Sequence, residues 1–76
     1  MSIEEHATVE FLEDVEQIEL GVVRARVKRG DQGVVVHLHG NPPVAYMVEV
    51  MDKTGRTLAI VDVETHKVRR VCGPGF

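Results

Sequence analysis

His37 and His39 stand two residues apart in a valine-rich run, and their spacing is the first place to look for chemistry. Residues i and i+2 of a strand share a face, so both imidazoles would point the same way and could begin a metal site. Such a site needs a third and a fourth ligand, and only Cys72, His6, His66 or distant carboxylates are on offer. His37 and His39 are therefore weak candidates that read as histidines on a solvated strand face, and no metal is expected. Cys72 lies near Arg69 and Arg70, whose charges favour a thiolate. Its neighbours Gly73, Pro74 and Gly75 read as a tail too loose to hold a catalytic geometry. The one serine, Ser2, sits at the terminus, and the carboxylates between residues 10 and 19 read as a charged edge. No catalytic residue is assigned, so neither enzymatic activity nor a cofactor is expected.

The stretch "RVKRGDQGVVVHL", residues 26–38, raises a second chemical question. Gly30 and Gly33 follow basic residues, as in a loop that cradles phosphate. Such a loop also needs a strand before it, a helix after it, and further glycines or a GK[ST] ending. These are missing, and valines follow at once. Gly30 is better placed to take a positive φ in a sharp turn, and Gly33 to let two backbones approach closely where the next strand begins. Both read as structural turn residues, with Gly55 as a third.

The elements that would position these side chains follow a two-residue alternation rather than helical spacing. "DVEQIEL" (14–20) suits an edge or irregular strand. "GVVVHLH" (33–39) places Val34, Val36 and Leu38 on one face and Val35, His37 and His39 on the other. "GNPP" stops it, because proline cannot donate to a sheet ladder. "AYMVEVM" (45–51) and "RTLAIVDV" (56–63) flank "DKTG", a three-residue loop in which a type I turn is closed by Gly55. Continuing that register sets Val48 opposite Ile60 and Val50 opposite Leu58, with Met47, Glu49 and Met51 on the second face. A slip of one residue would turn Leu58 and Ile60 outward. "ETH" is a single turn before a last short strand, "KVRRV" (67–71).

One domain spanning 1–76 is expected, with its core over about 8–71 and with 1–7 and 72–76 flexible. A chain this short buries only about 60 % of its unfolded surface, so a partner would be no surprise. A single cysteine excludes an internal disulfide and suits a reducing cytoplasm. The acidic start lacks the pattern of a secretory signal, and no apolar run could cross a bilayer as a helix. A soluble, cytoplasmic protein is expected. The net charge of −3 is uneven: residues 1–20 hold seven acids and no Lys or Arg, whereas residues 21–76 hold nine bases and five acids. Four of those bases lie in "RARVKR", 24–29. Compensation between the two segments is the simplest reading.

Five short antiparallel strands joined by tight turns predict an all-β fold, a small half-open barrel of the SH3-like kind. "VKRGDQGVVV" followed by "AYMVEVMDKTGRTLAIV" resembles a small bacterial family, domain of unknown function 4926. The likeness rests on Lys28, Gly30, Gly33, Val35, Val36, Tyr46, Val48, Glu49, Gly55, Arg56 and Thr57, and spans roughly residues 13–71. The chain departs at Val50, where the family has phenylalanine, and at "GVVRARV", where a proline-containing loop is expected. The resemblance implies the fold and no activity.

In either hairpin register the face bearing Met47, Glu49 and Met51 is more apolar than a solvated strand face. Val9 and Phe11 could fold over it, or another chain could cover it. A non-catalytic interaction or regulatory module is therefore expected, binding a protein partner or a second copy through Met47, Glu49, Met51, Arg24 and Arg26. Nucleic-acid binding by a KOW-like module is the first alternative, weakened by the acidic balance and by few aromatics for stacking. An immunity- or antitoxin-like inhibitor of a basic protein is the second. No membrane partner is expected.

Overall fold

The computed structural model describes residues 3–52 and 54–71. Seven strands follow one another: β1 (Thr8–Phe11), β2 (Val15–Glu19), β3 (Val22–Val27), β4 (Gln32–His39), β5 (Ala45–Met51), β6 (Thr57–Glu64) and β7 (Val68–Arg70). A single 3-10 turn, Thr65–Lys67, separates the last two. The protein is all-β and every pairing is antiparallel. The strands form a five-stranded sheet in the order β6-β5-β4-β1-β7 and a separate β2–β3 hairpin, and they do not close into a barrel. Among the described residues no helix is long and apolar enough to cross a membrane.

The hydrophobic core lies between the inner face of the larger sheet and the hairpin. Val9, Phe11, Val35, Tyr46, Val48, Val50, Val61, Val63 and Val68 supply the sheet side. Val27 closes it from the hairpin, with Val15 and Ala25 packed against it. Branching at Cβ makes valine stiff and well suited to a pleated surface, so a valine-built core reinforces the strands that carry it. No polar or charged residue among those described is buried.

Two strands exceed the expected five. β1 is four residues long and β3 lies in the basic stretch, so neither shows a long apolar alternation. β1 nevertheless sits between β4 and β7, and its Val9 and Phe11 are among the most buried residues. They fill the core and do not fold over the methionine face. Residues ahead of β1 also make contacts with the sheet. Ile3 joins the core, and the His6 amide donates to the Val35 carbonyl at 2.7 Å. Residues 72–76, including Cys72, lie outside those described, as do Met1, Ser2 and Lys53.

Besides a register shift between Gln17 and Ile18 in the β2–β3 hairpin, bulges reset both ladders of β5. Between Val35 and His37 the β4–β5 register shifts by one, leaving Val36 unpaired. Val35 and Leu38 therefore both contribute to the core side, while His37 and His39 face outward. The simple grouping of Val35 with the two histidines does not hold. The second shift is in the β5–β6 ladder. The tight turn itself forms: the Gly55 amide donates to the Asp52 carbonyl at 3.0 Å and the Asp52 amide to Arg56 at 2.9 Å. Met51 then pairs with Thr57, but Val50 pairs with Ala59 and Val48 with Val61. Leu58 is the extra residue. Beyond it every β6 side chain lies one position away from the uninterrupted register, and Ile60 stands opposite Glu49 rather than Val48.

Candidate binding surface

The outer face of the five-stranded sheet carries part of the apolar surface that the core leaves out; Ile18, Leu20 and Val22 on the hairpin and Val44 before β5 are exposed as well. Ile60 is 53 % and Leu58 63 % exposed, both large apolar residues on β6. Met47 pairs with Asp62 and Met51 with Thr57, so both methionines sit on the same face, flanking Glu49 and Ile60. Val34 pairs with Glu49 from the other side and extends the apolar surface onto β4. Glu49 accepts a hydrogen bond from the Thr57 hydroxyl, which ties its carboxylate across the hairpin.

Between β6 and the β2–β3 hairpin runs a groove of about 330 Å³, with Gln17, Glu19, Arg24 and Ala25 on one wall and residues 58–62 with Met47 on the other. The Gln17 side chain accepts a hydrogen bond from the Asp62 amide at 3.2 Å, fastening one end of the hairpin to the edge of β6.

Arg24 and Arg26 are not free cations. Arg26 Nε lies 3.1 Å from Glu16 and Arg24 Nε 3.5 Å from Glu19. Arg69 Nε donates to Glu10 at 2.8 Å across the β1–β7 pair, and the Arg29 amide donates to Asp14 at 2.9 Å. Within the basic stretch, Arg24 and Arg26 are thus offset by acids of the first segment, a modest energetic gain at the surface.

His37 and His39 share the outer face, their ring centroids 5.0 Å apart and edge-on. Nε2 of His39 lies 2.8 Å from Oδ1 of Asp62, while Nδ1 of His37 lies 3.9 Å from Glu5. Each ring is thus drawn toward a different carboxylate. Among the described residues no three His, Cys, Asp or Glu side chains converge on a common point.

The glycine turn spends its own amides. Gly30 N–H donates to Phe11 O at 2.8 Å, Asp31 N–H to Lys28 O at 2.9 Å, and Lys28 N–H to the Asp31 carboxylate at 3.0 Å. With the Arg29 amide on Asp14, all four backbone amides of residues 28–31 are already used within the fold, so the loop is not a backbone cradle for an anion. Gly30 has φ +93°, and a Cβ on Gly33 would meet the Glu49 carbonyl oxygen and Val48 Cγ1 at 2.6 Å.

A family profile described as Domain of unknown function (DUF4926) matches residues 5–70. The chain belongs to this family. No match was found among curated proteins, and none among solved structures. In this DUF4926 domain, the matched span takes in every strand described above, the groove and the outer face alike.

Leu58 and Ile60 are the surface residues that sequence reasoning assigned to the core. A signal was present in "TLAIVDVE". Asp62 and Glu64 must face water, which turns Val61 and Val63 inward and Ile60 outward. Reconciling that alternation with the turn at Asp52 requires one extra residue.

Proposed function

We propose that this domain is a non-catalytic interaction module of the cytoplasm that binds a protein partner, or a second copy of itself, through the outer face and free edge around β6. The observation carrying this reading is the exposure of Leu58 and Ile60 beside Met47 and Met51. Val9 and Phe11 are buried on the opposite face, so they are unavailable to cover these residues. Contiguous exposed apolar side chains on a small domain mark an interaction surface, and methionine adapts well to a partner's shape. Nucleic acid is the less supported partner, because Arg24 and Arg26 are matched by Glu19 and Glu16.

The test compares the parent with Ile60→Lys and Met47→Lys. Sedimentation over a concentration series reads self-association, and affinity capture from the native cell with mass spectrometry reads a partner. Both substitutions should leave the thermal melt near that of the parent and abolish whichever association is found. Retention of that association by folded variants would refute the reading.

A further inference from the structure

The free edge of β6 offers backbone as well as apolar surface. β6 is the last strand of its sheet, paired only with β5. Alternate residues of an antiparallel strand direct their N–H and C=O groups to opposite sides. The Asp62 amide points away from β5, since Gln17 receives it. No register shift separates Asp62 from Ile60, so the Ile60 backbone groups point into the groove as well. There the walls hold apolar Leu58 and Ile60, with Ala25 across from them. An unpaired edge beside a groove with both apolar and polar walls is a geometry that accepts an added strand.

Charge selects the occupant. Glu19 and Asp62 line the groove and Glu49 stands opposite Ile60, whereas Glu64, at the end of the strand, is paired with Lys67 at 3.2 Å. Arg24 is the one basic residue in the walls, and it is 3.5 Å from Glu19. A second copy docked edge to edge would bring these acids against their own duplicates. We infer that the groove accepts an extended peptide segment of another protein, adding to β6 as a strand, with alternating apolar side chains flanked by Lys or Arg. The inference rests on the interaction reading and narrows it to one partner chemistry.

The experiment is a selection from a displayed library of random linear peptides on the intact chain. It is followed by amide NMR with a synthetic copy of the enriched sequence. Enriched peptides should alternate apolar residues with Lys or Arg, and shifts should centre on residues 58–62 and on the facing hairpin residues 17–25. Neutralising the acids in the triple variant Glu19→Gln, Glu49→Gln, Asp62→Asn should weaken binding about fivefold at low salt, and less at high salt. Leu58→Lys should abolish binding without lowering the melt. Acidic consensus peptides, or shifts centred elsewhere, would overturn the assignment while leaving the domain an interaction module. A failed selection alongside a dimer that Ile60→Lys dissolves would make the occupant a second copy and overturn the peptide. A failed selection with a strict monomer and no captured partner would overturn both readings.

Discussion

Gly30 donates its amide hydrogen to the carbonyl of Phe11 at 2.8 Å, which fastens the turn before β4 to the end of β1. The Phe11 amide returns the contact by donating to Asp31, also at 2.8 Å. This clasp requires Gly30 at φ +93°, a backbone position that side chains with a branched Cβ rarely adopt. Gly30→Val should therefore cost about 1–3 kcal/mol through backbone strain. No atom lies within 4 Å of a Cβ placed there, so crowding adds nothing. Gly30→Asn, which tolerates the left-handed region, should recover most of the loss. Equal melts for parent and Val variant would show that the turn relaxes to a negative φ.

Gly33 works differently. A Cβ here would meet Glu49 backbone and Val48 Cγ1 at 2.6 Å, so β4 and β5 would have to separate. Gly33→Ala should cost about 1–3 kcal/mol, as overpacking does, and no asparagine will rescue it. Chemical denaturation of Gly33→Ala and Gly33→Asn is the check. A rescue by asparagine would mean that conformation rather than space governs this position.

The legible parts of this fold were those where one residue type has one physical reason. Gly30 and Gly55 both lie at positive φ, and each marks a turn that the sequence announces by a glycine after polar residues. The alternation of Tyr46, Val48 and Val50 likewise declares an inward face, and all three are buried. The bulges at Val36 and Leu58 were not legible from periodicity alone, because an extra residue changes the phase of everything after it. β1 was hidden for another reason. Its two inward residues, Val9 and Phe11, are too few to establish a period, and only the long-range pairing with β4 and β7 reveals their role. The outer face was thus half visible. Met47 and Met51 could be placed on it from β5, whereas Leu58 and Ile60 required the observed register.

The β5–β6 turn carries a pH dependence of known sign. The Asp52 carboxyl is held below its ordinary value of 3.8 chiefly by the Thr54 hydroxyl, and also by the Arg56, Thr54 and Gly55 amides, with desolvation opposing them. A depressed carboxyl favours the folded state above the unfolded value, and that contribution disappears as pH falls through the lower folded value. Its window is therefore below 3.8. Asp52→Asn keeps an acceptor for the turn but cannot titrate. Unfolding measured down through this range should show the parent losing stability more steeply than the variant. Parallel losses would mean that the turn's hydrogen bonds do not distinguish charged from neutral Asp52.

The Leu58 bulge separates what the core needs from what the surface presents. Removing Leu58 from the chain would leave Val50 opposite Ala59 and Val48 opposite Val61, now in one continuous register with the pair Met51–Thr57. No core residue changes its partner, and the lost side chain is 63 % exposed. The deletion should thus cost less than about 1 kcal/mol, the scale of a change that avoids buried contacts. It should nevertheless weaken any association made at the β6 edge, because it withdraws an apolar residue and straightens the strand. Thermal melts and binding assays on the same sample distinguish the two effects. A large loss of stability would show instead that the bulge's bend is what lays Val61 and Val63 over the core, and that β6 carries Leu58 for folding before it carries it for a partner.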